Sequence, residues 1–249
     1  MDIIYTIWLR NMKRYIRSKS RIIGSISMPL FFLLFLGFGL NSVVRIPTLG
    51  QDYIQFLIPG VVAMSVLFTS VFSGIQIIWD KQFGFLKETL VAPVSRLEIM
   101  FGQTLGGATT SFIQGAIILV LSLFVGLHIA NPLGFLIACG FMVLVGVSFT
   151  AFGIALASRM EDMQGFQLIM NFVVFPIFGL SGALFPISSL PSWAVPITLL
   201  DPLTYGVEGI RYGLTGISQV NPVVSLVVLG GFALVTTVLG AYLFRKIEM

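Results

Sequence analysis

The stretch FPIFGLSGALFPISSLPSWAVPITLLDPLTYGVEGIR, Phe175–Arg211, decides the fold. It is apolar enough to lie in a membrane, and the number of crossings turns on whether it contributes one span or two. Pro186, Pro191, Pro196 and Pro202 interrupt it, and Asp201, Glu208 and Arg211 bring charge into its second half. A Lys, Arg or Asp at a helix centre costs roughly 2.5–3.5 kcal/mol on insertion scales. The reading is one span, followed over 186–221 by two short helices forming an outer-side hairpin that dips partway into the membrane. Non-helical backbone at that depth is tolerable only when buried in protein or lining a wet cavity. Ser189-Leu190-Pro191 and Asp201-Pro202 each pair a capping side chain with a nearby proline, a helix-start signal. Trp193 and Tyr205 belong to the same candidate hairpin. Glu208 and Arg211, three apart on a helix, are placed to pair.

Working outward, six stretches carry no charged side chain: Ile22–Leu40, Ile54–Trp79, Ile99–His128, Pro132–Ser158, Met163–Leu200 and Tyr212–Phe244. Only 10% of the 249 residues are charged, against about a quarter in soluble domains. A bilayer is the solvent that suits such a chain, and the fold class expected is all-α, six transmembrane helices in a single domain over residues 1–249. The first apolar run follows a long basic segment and lacks a small-x-small cleavage site, so the first helix is expected to remain in the protein.

Orientation follows from Lys and Arg. Twelve lie on one side: Arg10, Lys13, Arg14, Arg17, Lys19 and Arg21 before the first span, then Lys81, Lys87, Arg96, Arg159, Arg245 and Lys246. Only Arg45 and Arg211 lie on the other. Both termini are therefore expected in the cytoplasm of a multi-pass protein of the cell membrane. Basic residues at the ends of apolar runs, not along a soluble face, also argue against nucleic-acid binding.

Ile3–Arg21 reads as a further helix. At 100° per residue Arg10, Lys13, Arg14, Arg17 and Arg21 share one face, and Tyr5, Trp8, Met12, Tyr15 and Ile16 the opposite one. That pattern fits a helix lying in the membrane interface.

Enzyme chemistry fails at the inventory. His128 is the only histidine and Cys139 the only cysteine. No His-Glu-x-x-His, Gly-x-Ser-x-Gly or Gly-x-x-x-x-Gly-Lys-Ser/Thr element occurs, so no catalytic, metal or cofactor site is expected. The spans do carry polar stripes at helical spacing. Ser65, Thr69, Ser73 and Gln76 share a face of the second; Gln103, Thr110 and Gln114 share one of the third; Gln167 and Asn171 line up in the fifth. Such stripes either pack helices or line a path, and both readings stay open. No acid lies mid-span, which weighs against ion-coupled transport.

The connection DKQFGFLKETLVAPVSRLE, Asp80–Glu98, is short and amphipathic. Phe83, Leu86 and Leu90 recur at i, i+3 and i+7, Lys87 and Glu88 supply polar surface, and Pro93 ends the helix. An apolar stripe of this kind can dock into a groove on a partner.

FGFLKETLVAPVSRLE and Phe175–Arg211, with its FP-x-SSLP-x-W element followed by Pro-Leu-Thr-Tyr and an Arg, resemble the permease subunits of type-2 ABC transporters, particularly the daunorubicin-resistance-type exporters. The likeness extends over nearly the whole chain. It implies a drug, lipid or lipid-linked polysaccharide exporter in which Gly84–Pro93 is a coupling helix seated on a separate ATPase. ATP and Mg would bind in that partner. Two permease copies, a homodimer by default, and two ATPases would form the working unit. The family often has Asn at the position of Asp201 and Asp at that of Glu208. The competing expectations are an ATP-independent secondary transporter or channel, and a membrane scaffold that moves nothing.

Overall fold

A backbone N–H or C=O without a partner costs several kcal/mol in hydrocarbon, so each apolar run closes its hydrogen bonds within a helix. The computed structural model describes residues 3–41, 45–46, 51–84 and 94–246. Helix α1 covers Ile3–Arg17. Six helices long and apolar enough to cross a membrane follow: α2 Lys19–Phe38, α3 Tyr53–Gln82, α4 Arg96–Phe124, α5 Pro132–Ser158, α6 Met163–Leu180 and α9 Pro222–Arg245. Between the last two lie α7, Ala194–Leu200, and α8, Pro202–Thr215. Arg45–Ile46 and Gln51–Asp52 form a two-residue antiparallel pairing between α2 and α3.

Helix starts are set by short local signals. Ser95 and Glu98 close a capping box on α4. Asn131-Pro132, Asp201-Pro202 and Asn221-Pro222 start α5, α8 and α9, each with the side chain accepting a backbone N–H and proline at the first turn. The expected start at Ser189-Leu190-Pro191 does not form. Ser189 closes a 3-10 turn, Ile187–Ser189, and α7 begins later, at Ala194, without a side-chain cap.

α3 is the centre of the bundle, with 78% of its most apolar window buried, against 17% for α2 and 22% for α6. The two peripheral helices share another feature. Each contains a wide π-helical stretch, Leu33–Phe38 in α2 and Met170–Val174 in α6. In α6 the widening includes Phe172, whose carbonyl the ring of Pro176 would otherwise meet four residues on.

α8 is less peripheral than a surface hairpin. Leu203 through Arg211 are all buried. Gly206 packs against Val145 in the middle of α5, and Gly213 against Gly134 near its start. At 1.5 Å per residue its 14 residues reach roughly 21 Å, short of a full crossing. Tyr205 Oη donates to Leu199 O at 2.7 Å and Thr204 Oγ1 to Thr198 O at 2.7 Å, tying α8 back onto α7.

Candidate functional site

The amphipathic N-terminal segment is two elements. The helix breaks at Ser18, so Arg21 belongs to α2 and not to the basic face of α1. Lys13, Arg14 and Arg17 are exposed, as expected, whereas the opposite face is divided: Met12 and Tyr15 are buried but Tyr5 and Ile16 are exposed. The reason is a protein partner. α1 lies on the polar stripe of α4, where Trp8 Nε1 donates to Thr109 Oγ1 at 3.0 Å and Asn11 Nδ2 to Gln103 Oε1 at 2.8 Å. Tyr15 Oη donates to Gln114 Oε1 at 2.7 Å, and burial pushes its phenol up from the ordinary tyrosine pKa.

α1 is also fastened to α3. Asp80, buried at the end of that helix, accepts from Arg10 Nη2 at 2.9 Å and from Gln76 Nε2 at 2.7 Å, with Arg14 Nη1 at 3.9 Å. The next residue, Lys81, donates from Nζ to Ser158 O at 2.8 Å and so satisfies the C-terminus of α5. Gly84 then takes φ +76°, a left-handed turn that suits glycine, with Phe83 82% exposed beside it. Leu86, Lys87, Glu88, Leu90 and Pro93 of the expected coupling segment lie outside the described residues.

A cavity of about 510 Å³ opens next to this junction, between the end of α1, α2, α3 and α6. Ser65, Thr69 and Gln76 of the second-span stripe line it, as does Gln167 of the fifth. Arg21, Ser25 and Trp79 stand at one end with Gln76; Pro29, Met64, Phe68 and Phe175 form its apolar remainder. A small adjoining space of about 30 Å³ is lined by Ser73, Gln103, Thr110, Arg14 and Arg21 among others. Gln103 and Gln114 are spent on holding α1, and Asn171 is exposed and lines neither space.

At the opposite end, the Glu208 and Arg211 side chains pair with no exposure of either. Arg211 Nη2 also donates to Gly182 O at 3.0 Å and Phe56 O at 3.5 Å, and the guanidinium sits 4.0 Å over the Phe56 ring. Glu208 Oε2 accepts from the backbone N–H of Gln219. One charge pair thereby joins α8, the start of α3, the segment after α6 and the approach to α9. Pro186 is buried beside that segment, whereas Pro191 and Trp193 are exposed.

Sequence reasoning missed Asp80, Asn11 and Lys81 as organising residues. Asp80 stands four after Gln76, on the same helical face, and that spacing was the available signal.

Six membrane-length helices, with a cavity between α2, α3, α6 and the end of α1, define a multi-pass membrane protein. The chain belongs to the ABC-2 type transporter family, whose profile matches residues 3–215. It is 32% identical over 193 residues to a protein named putative transport permease ycf38 of Cyanophora paradoxa, covering 77% of this chain and 67% of the relative. It is 28% identical over 228 residues to the inner membrane transport permease YadH of Escherichia coli K12, covering 90% and 87%. Nodulation protein J of Rhizobium meliloti is 27% identical over 244 residues, covering 96% and 92%. The chain is accordingly a transport permease of this family.

Proposed function

We propose that this permease is the membrane subunit of an ATP-driven exporter, energised by a separate ATPase, and that it moves an amphipathic molecule outward. The observation that carries the reading is the 510 Å³ cavity, polar at one end and apolar along the rest. Its volume lies within the roughly 300–1,000 Å³ range of ligand sites. Its polar end adjoins the α1–α3 junction, from which the chain runs directly into the segment after Gly84. In this reading Gly84–Pro93 docks on the ATPase, and movement there passes through Asp80 to α1 and α3, which border the cavity. The positive-inside rule puts this junction in the cytoplasm and the α7–α8 pair on the outer side. The exposed apolar faces of α2 and α6, Phe35 and Phe172 among them, suit contact with lipid and with a second copy of the chain.

The test is transport in proteoliposomes containing the permease and the ATPase that co-purifies with it, using a fluorescent amphiphile. Accumulation should require ATP, and Gly84→Pro or Glu88→Arg should abolish it without affecting membrane insertion. Flux driven by an ion gradient through the permease alone would contradict the proposal.

A further inference from the structure

Among the described residues, Arg21 is the one charged side chain lining the large cavity, and no carboxylate lines it. Among the described residues its side chain makes no ion pair, while the neighbouring carboxylate, Asp80, is engaged by Arg10 and Arg14. Arg21 also lies in the first turn of α2, whose N-terminus carries partial positive charge from its unpaired N–H groups. A cation there works against the helix dipole. It adds to a positive potential that bulk water does not fully screen at a partly enclosed site.

A second polar group along the cavity wall lacks a partner. Ser65 Oγ is buried and makes no hydrogen bond among the described residues, on a side chain 2% exposed. It is 11 positions before Gln76, about three helical turns deeper than the Arg21 end. Between the two, Met28, Pro29, Phe68 and Phe72 supply apolar wall. Thr69 and Gln167 also line the wall, whereas two polar groups nearer Arg21 are committed. Ser25 Oγ donates to Ile22 O at 3.0 Å, and the Gln76 amide donates to Asp80. The cavity therefore presents a cation at its mouth, an apolar slot, and an unpartnered hydroxyl inside.

We infer that the cavity binds an amphiphile with an anionic head, its carboxylate or phosphate held by Arg21 and its chain laid along the apolar slot past Ser65. This rests on the reading of the cavity as a cargo site and names the charge class of that cargo. Arg recognises such heads through a planar fork of donors, so a charge-assisted hydrogen bond would set the preference.

Trp79 lines the cavity beside Arg21 and reports occupancy. With Trp8 and Trp193 replaced by Phe, its fluorescence in detergent-purified full-length permease would be titrated with brominated fatty acid, brominated phosphatidic acid and brominated phosphatidylcholine. The two anionic probes separate a carboxylate from a phosphate source. At least one of them should quench with an apparent Kd about tenfold below that of phosphatidylcholine, the scale of one charge-assisted hydrogen bond. Arg21→Gln should bring the classes together, Arg21→Lys should keep most of the preference, and Ser65→Ala should weaken all probes alike. Equal quenching by all three in the parent protein would overturn the charge assignment and leave the cargo-site reading intact. Saturable quenching by none would overturn both. Should the two-Phe variant fail to fold, a photoreactive fatty acid applied to the native chain gives the same answer. Labelled peptides outside α2, α3 and α6, or labelling unchanged by Arg21→Gln, would contradict the inference.

Discussion

At one end of the bundle Glu208 and Arg211 pair with neither side chain exposed; at the other, Asp80 is held by Arg10 and Arg14, whose side chains are 26% and 44% exposed. The first arrangement is locked. Breaking it leaves a charge stranded in a low-dielectric interior. The second has one buried member and two solvent-accessible ones, so the arginines can be rehydrated on parting while Asp80 keeps its hydrogen bond from Gln76. The cavity adjoins the second end. In the proposed export reading, the bundle is locked where α8 knits the helix ends together and held by solvent-accessible arginines where α1, α2 and α3 meet beside the cavity.

Substitutions can break that contrast in order of expected effect. Glu208→Gln should cost about 3–5 kcal/mol, because Arg211 stays buried without its counter-charge. Thermal unfolding in detergent, or the recovered fraction of monodisperse protein, measures the loss. The double reversal Glu208→Arg with Arg211→Glu should recover little, since the Gly182 and Phe56 carbonyls need donors where Arg211 now stands. Full recovery would show that the knot is a simple pair. Asp80→Asn should cost about 2 kcal/mol, the scale of hydrogen bonds to a charged group. Its sharper readout is faster proteolysis at Arg10 and Lys13 as α1 lifts from α3 and α4. If α1 stays protected, the polar ladder to α4 alone holds it.

Smaller effects sharpen the picture. Asp201 is buried, its Oδ1 accepting from Leu203 N at 2.9 Å and its Oδ2 without a partner among the described residues. Asp201→Ala should lose about 1 kcal/mol with the cap. Asp201→Asn keeps the acceptor and removes a poorly compensated charge, so it should match or exceed the parent in the same unfolding assay. Trp193, 70% exposed, should tolerate Ala within about 0.5 kcal/mol.

The six crossings were legible because charge avoidance over about 20 residues is a composition signal that needs no tertiary knowledge. The Glu208–Arg211 pair was legible too, since i,i+3 spacing on a short helix leaves few alternatives. The seat of α1 was not. Amphipathic projection sorts residues into basic and apolar faces, yet α1 docks through Trp8, Asn11 and Tyr15 onto glutamines and a threonine about 100 positions away. Neither helix alone records that match. The break at Ser18 escaped for a related reason: the basic periodicity continues through it, and only tertiary packing turns α2 away. The cavity was half legible. The stripes of α3 and α6 were visible, but that Gln167 faces it while Asn171 does not depends on the π-helical stretch beginning between them, at Met170.

The measurement that bears most directly on the account is recovery of this chain from its native membrane in mild detergent, with co-purifying proteins identified and quantified. A P-loop ATPase at about one copy per permease, lost on Glu88→Arg and retained on Trp193→Ala, is the predicted result. Recovery of the permease with no ATPase, repeated after crosslinking in the membrane, would contradict it.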